Sequence, residues 1–181
     1  MSTLTIELPS QRTQTEFNLR RWAELLADPE MRKIVGRVET DRHGQIIMSP
    51  PAAASHGSYQ FEIGYLLRRL LPKGRVLTEC PISTADGVRA ADVAWASDVC
   101  MRELGAQICF PRAPEICVEV LSPDNSVAEM REKTALYFDA GAKEVWHCSR
   151  VGQMTFFGAG RTTPLRSSRL CPDFPGLVQL R

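Results

Sequence analysis

Ile116-Cys117-Val118-Glu119-Val120-Leu121 is apolar at every position but one, the pattern of a strand covered on both faces rather than one washed by solvent. The exception carries the information. A carboxylate placed among five apolar neighbours is costly to ionise unless a cation, a hydrogen-bond donor or a metal meets it, so Glu119 requires a partner from elsewhere in the chain.

Upstream, Ala90-Ala91-Asp92-Val93-Ala94-Trp95 poses the same problem, a strand of small residues with one acid near its start. If the two strands are neighbours, Asp92 and Glu119 can share a divalent cation. Downstream, Ser126 and Glu129 have the spacing of a helix N-cap, and Gly141 can close the same helix about fourteen residues on. Val127, Leu136 and Phe138 offer that helix a partly apolar surface, and strands follow over 143–148 and 154–157. Lys133 sits two turns into this helix, one loop after the Glu119 strand.

Farther out, apolar residues at helical spacing predict a helix over 13–27, stopped by Pro29. A hairpin follows, with strands over 34–40 and 45–48 joined by Asp41-Arg42-His43-Gly44. Ile63, Leu66, Leu67, Leu70 and Leu71 form one buried helical face ended by Pro72, with Glu62 and Tyr65 at its margin. Residues 75–79 and 90–96 read as neighbouring strands about a turn at Asp86-Gly87, 97–112 as a short helix and loop, and 177–180 as a last apolar run in an irregular tail. No repeat or low-complexity segment appears. The expected fold class is α/β or α+β, one domain over 1–181 with a central mixed sheet flanked by helices, residues 1–30 being an N-terminal helical extension.

Composition narrows the function. The 181 residues carry 22 Lys plus Arg against 21 Asp plus Glu, a net charge of +1, too balanced for a domain that holds nucleic acid by bulk electrostatics. Phosphate contacts must be local. Residues 150–181 hold five arginines against Asp173 alone, and the remainder of the chain is net acidic, so Arg161, Arg166 and Arg169 mark the expected docking surface; Arg68, Arg69, Lys73 and Arg75 form a second basic cluster. No stretch approaches the ~18 apolar residues of a membrane helix, and the start of the chain, with Glu7 early, lacks the pattern of a secretory signal. The expectation is a soluble cytoplasmic protein without membrane contact. Six cysteines, none in a C-x-x-C pair, read as reduced core thiols rather than a zinc cage.

Aspartate and glutamate oxygens suit Mg²⁺ or Mn²⁺, which use few carboxylates and keep waters for phosphate oxygens to displace. Lys133 is then the candidate for stabilising charge at phosphorus. Each residue also has a plain structural reading: Glu119 paired with an arginine, Asp92 capping a turn, and Lys133 in an i,i+4 pair with Glu129.

The series Arg89-Ala90-Ala91-Asp92-Val93-Ala94, then Pro114 to Pro123 around Glu119, then Lys133, Tyr137, Gly141 and Glu144-Val145-Trp146 resembles the Uma-type restriction endonuclease family, a branch of the PD-(D/E)XK nuclease superfamily. Glu39, Gly44 to Pro50, His56 and Phe174-Pro175-Gly176-Leu177 extend the likeness over almost the whole chain. The resemblance implies a restriction-endonuclease-like fold and metal-dependent hydrolysis of nucleic-acid phosphodiesters, DNA foremost, with Asp92 and Glu119 as metal ligands and Lys133 completing the catalytic set. The superfamily lysine usually stands two residues after the glutamate; Leu121 occupies that place here, and Lys133 stands for it on the following helix. Other departures are Ala91 in place of a proline, Glu129 in place of an aspartate, and His147-Cys148 after Trp146. Glu62 is a candidate extra carboxylate, and His56 either a hydrogen-bonding residue at a helix entry or a phosphate contact.

Two further readings stand beside the nuclease: a nonenzymatic nucleic-acid- or protein-binding module on the same fold, and a metal-dependent hydrolase of another phosphoester. Cutting both strands of a duplex is simplest with two symmetric sites, so a homodimer is also expected.

Overall fold

The computed structural model describes residues 11–105 and 107–180. Glu7, the first ten residues of the expected N-terminal extension, and Arg181 lie outside them. Helix α1 (Gln11–Ala27) ends ahead of Pro29 and buries Trp22 and Leu25 against Val88 and Cys109. The hairpin β1 (Arg37–Thr40) and β2 (Ile46–Ser49) turns on Asp41, whose carboxylate accepts the N–H groups of His43 and Gln45, with Gly44 at a positive φ of 78°.

Helix α2 (Ala54–Leu70) buries Tyr59, Ile63 and Leu67. Strands β3 (Gly74–Thr84) and β4 (Gly87–Ser97) are eleven residues each, longer than the expected 75–79 and 90–96. Pro81 and the polar Ser83-Thr84 obscure this extension in the sequence. Proline is tolerated there because β3 is an edge strand of its sheet and needs no donor at that position. Gly87, at φ 87°, turns the chain where the Thr40 carbonyl presses so close that no Cβ would fit. This contact seats the small hairpin on β4: Thr40 Oγ1 accepts the Val88 N–H at 3.0 Å and Glu39 Oε1 the Ala90 N–H at 2.9 Å.

Helix α3 (Asp98–Leu104) is capped by Ser97, and β5 (Ile116–Val120) follows. Ser126 Oγ accepts the Glu129 N–H at the start of α4 (Val127–Asp139), as the spacing predicts. Val127, expected on the apolar surface of this helix, is instead exposed; the buried residues are Met130, Lys133 and Tyr137, at i, i+3 and i+7. An amine and a phenol thus occupy positions that an apolar reading assigns to aliphatic residues. Strands β6 (Glu144–Cys148) and β7 (Met154–Gly158) complete the five-stranded sheet.

The strand order is β3-β4-β5-β6-β7, antiparallel except for the parallel pair β5 and β6, which α4 connects. Alternation along β5 splits the core. Val118 and Val120 face α2, together with Val93, Trp146, Phe156 and Phe174; Cys117 faces the other side with Tyr137, Val145, Cys100 and Leu104. This is the doubly covered mixed sheet that the Glu119 strand predicts. All six cysteines are buried and free. Among the described residues no helix is long and apolar enough to cross a membrane.

Candidate active site

Strands β4 and β5 pair from Trp95↔Ile116 to Val93↔Val118, and the next step of that register sets Asp92 across from Glu119. The ladder stops there because the Asp92 side chain takes over its last donor: Oδ2 accepts the Val120 N–H at 2.6 Å. The two acids predicted from sequence are therefore juxtaposed where the strands part, Asp92 1% and Glu119 4% exposed.

Lys133 reaches this pocket from α4. Its Nζ lies 3.1 Å from Glu119 Oε2 and 3.1 Å from Glu39 Oε1, so its partners are two buried carboxylates rather than Glu129. One turn further on, Tyr137 donates to Glu119 Oε1 at 2.6 Å. From the first turn of α2, His56 Nε2 approaches Asp92 Oδ2 at 3.3 Å, and Arg37 of β1 places Nη1 2.7 Å from Oδ1. Arg37 also stands 3.7 Å from Glu39 and 3.4 Å from Glu79 through Nε.

Glu79 is the one non-glycine described residue at positive φ, 47°, and drops out of the β3–β4 ladder between Thr78↔Val93 and Cys80↔Ala91, opposite Asp92. Such backbone outliers concentrate where function holds them. Gln60 Nε2 fills the gap, donating to Glu79 Oε1 at 2.6 Å and approaching the Asp92 carbonyl at 3.4 Å.

The electrostatics separate the acids. Burial pushes Asp92 up, but the His56 hydrogen bond, the Arg37 charge and the Val120 N–H prevail, and its carboxyl stays below the usual range. Burial dominates at Glu119 despite Lys133, with the Asp92 charge adding to it, and that carboxyl is raised. Burial also opposes the charge on Lys133 and on Arg37, yet the surrounding carboxylates outweigh it and raise both. Glu39 is lowered because Lys133 and Arg37 overcome its burial. The hydrogen bond to Asp92 raises His56 against burial. Two facing carboxyls displaced in opposite directions is an arrangement suited to holding a cation and handling a proton in one pocket.

Arg37 Nη2 and His56 Nδ1 are buried without a hydrogen-bond partner, and Arg37 Nε, although close to Glu79 and Glu39, makes no hydrogen bond with either. The residues present fit a divalent cation of the Mg²⁺ type, which takes one or two carboxylates and completes its shell with water and phosphate oxygens. They do not form an all-protein cage, since among the described residues no three His, Cys, Asp or Glu side chains are disposed around one metal position.

The structure thus brings Asp92, Glu119, Lys133 and His56 together and leaves Glu62 aside, half-buried and without a bond to the cluster. It adds Arg37, Tyr137, Gln60 and Glu79. Tyr137 was within reach of sequence reasoning, four residues after Lys133 on the same helix face; Arg37 shares a strand face with Glu39 but has no local sign of its partner Asp92. Arg161, Arg166 and Arg169 are exposed, on a tail that runs back along β7: the Arg161 N–H donates to the Gly158 carbonyl, that of Leu165 to Phe156 and that of Val178 to Gly152. Glu144, the first residue of β6, accepts the N–H groups of Arg169 and Leu170, and β6 runs parallel to β5 with Glu144 beside Ile116, away from Glu119.

No curated protein matches the chain. Among solved structures, a protein of Anabaena variabilis described as a putative nuclease belonging to DUF820 shares the fold, with a TM-score of 0.61 at 18% identity over 77% of this chain and 80% of that one. The model of the Uma2 family, described as "Putative restriction endonuclease", matches residues 22–177, which takes in every residue of the pocket, and the chain belongs to that family.

Proposed function

We propose that the chain is a metal-dependent endonuclease that hydrolyses phosphodiester bonds of nucleic acid, with DNA as substrate. The observation that supports this most is the meeting of Asp92, Glu119 and Lys133, remote in sequence, in one buried pocket. Asp92 and Glu119 would hold Mg²⁺ or Mn²⁺, which when bound polarises a phosphoryl oxygen and makes water a better nucleophile at neutral pH. The chain's own part is positioning and charge. Asp92 is kept ionised by Arg37 and His56, and Lys133 carries a permanent charge against the site where negative charge builds at phosphorus. Nη2 of Arg37, and Nδ1 of His56 when that ring is protonated, can donate to a phosphate oxygen. Hydrolysis joins the water oxygen to phosphorus and breaks one ester P–O bond, the water proton passing to a base and the leaving alkoxide taking a proton from solvent.

Incubation of the purified protein with supercoiled plasmid, with Mn²⁺ or with chelator, tests this: nicking is expected with Mn²⁺ and is lost in Asp92→Ala and Lys133→Ala. Equal nicking by the variants excludes this pocket. One feature favours a second reading, a nonenzymatic binding module: both oxygens of Asp92 and of Glu119 already have protein partners. Calorimetric titration with Mn²⁺ separates the two, since the module would show no metal binding that depends on Asp92 and Glu119.

A further inference from the structure

A groove of about 750 Å³ runs along the outer side of β3 beneath α2, with Gln60, Phe61, Tyr65, Arg68, Arg75 and Thr78 among its walls. The helix comes close to the strand because Gly64 has no side chain: a Cβ there would lie 3.3 Å from Val76 Cγ1. The two ends of the groove differ. At one, Gln60 bridges to Glu79 and the Asp92 carbonyl, and Thr78 stands across from Val93, the neighbour of Asp92. At the other, Arg68 Nη1 donates to the carbonyls of Pro72 and Gly74. The groove therefore leads from the acidic pocket along the strand from Thr78 to Gly74, roughly 13 Å at about 3.3 Å per residue.

Its chemistry suits a nucleic-acid strand. Phe61 and Tyr65, one turn apart on α2, are 69% and 51% exposed and are the only aromatics among the exposed large hydrophobic side chains of the described residues. Neighbouring exposed rings offer a platform on which unpaired bases stack. Arg68 and Arg75 line the same groove and Arg69 places Cζ 5.9 Å from the Tyr65 ring, against Asp98 as the acid in the groove wall. The edge of β3 is free along this stretch: the Phe110 segment covers it at Pro81 and Ser83, but no described strand pairs with it over 74–79.

We infer that this groove binds a strand of nucleic acid with unpaired bases, the bases stacking on Phe61 and Tyr65 and the phosphates meeting Arg68 and Arg75, so that the backbone passes Gln60 into the pocket of Asp92. What happens to the strand in the pocket rests on the nuclease reading; the binding itself does not.

Fluorescence anisotropy with a short labelled single strand and its duplex, in chelator so that no cutting enters the readout, tests the inference. The single strand is expected to bind more tightly than the duplex. Phe61→Ala and Tyr65→Ala should each weaken it by roughly 5- to 100-fold, and Arg75→Ala should weaken it and flatten its salt dependence. The triple variant Arg161→Ala, Arg166→Ala, Arg169→Ala should bind as wild type. All of these side chains are exposed, and circular dichroism checks that the variants fold. Undiminished binding by the Phe61→Ala, Tyr65→Ala double variant overturns the proposal, as does binding lost only in the tail triple variant. Self-association that the double variant removes, with strand affinity unchanged, also overturns it and assigns the face to a second copy of the chain. The two readings fail separately: strand binding that depends on Phe61 and Tyr65, with no metal-dependent nicking, keeps the groove and removes the nuclease. Nicking that depends on Asp92, with binding indifferent to the two rings, does the reverse.

Discussion

Arg37 Nη1 lies 2.7 Å from Asp92 Oδ1 across 55 residues of chain, and among the described residues no other side chain hydrogen-bonds to that oxygen. A buried carboxylate that loses its cation is left uncompensated, which costs more than the net worth of the pair. Arg37→Met should therefore destabilise the protein by roughly 3 kcal/mol. Combined with Asp92→Asn, the loss should fall short of the sum of the two single losses by about 1–3 kcal/mol. Urea unfolding of the four proteins measures this, and strict additivity would show that the contact contributes nothing.

Lys133 bears on function rather than stability alone. Its ammonium sits between Glu39 and Glu119 at 3.1 Å from each, a compact charge in a space shaped by two carboxylates. Arginine carries the same charge on a wider planar fork. Lys133→Ala should lower nicking by roughly 10²- to 10³-fold, as loss of one charge-stabilising donor does, and Lys133→Arg should fail to restore it. Plasmid nicking rates at saturating Mn²⁺ decide the point.

His147 makes the protein sensitive to acid. Burial lowers its pKa to about 4, and its ring meets Thr134 Oγ1 at 2.9 Å. Because the Thr134 hydroxyl donates to the Met130 carbonyl, the histidine Nε2 carries the proton in that contact. The unfolded chain takes up a proton near pH 6.5 and the folded one only near 4, so stability is complete above about pH 6.5 and falls by roughly 2–3 kcal/mol on descending through that window. His147→Val should remove this component: the difference in unfolding free energy between wild type and variant should change between pH 7 and pH 4. A constant difference would refute it.

Glu144 fastens the tail. One oxygen accepts from Trp146 Nε1 and Ser168 Oγ, the other from the N–H groups of Arg169 and Leu170. Glu144→Ala strands those donors in a buried place and should cost roughly 3 kcal/mol or more, since each unsatisfied donor costs about 1–3 kcal/mol. Protease should then cut the segment beyond Leu165 at times when the wild type is intact; limited proteolysis read by mass spectrometry checks it.

The sheet was legible in the sequence because its central strand is legible: an apolar run with one carboxylate admits few environments, and a cap, a helix and a second run follow at the spacing of a parallel crossover. The partnership of Glu119 with Lys133 was legible for the same reason, as one connection separates them. Arg37 was not, because its partner is set by how a hairpin of two four-residue strands lies on β4, fixed by Gly87 and Thr40 rather than by any local pattern. Glu79 reads as an ordinary strand residue until its backbone is seen to turn aside opposite Asp92. Charge counting, likewise, locates a basic segment without locating the strand along which it lies.

The amine of this pocket is carried by a helix, whereas the two acids that face each other belong to hydrogen-bonded neighbours in a sheet. A helix can lift from a sheet as a unit while the strands stay paired. Gentle warming should thus peel away the ammonium and the Tyr137 phenol together and leave the acids in register, so the pocket is dismantled from its lid downward, with chemistry the earliest casualty and the anionic floor the last.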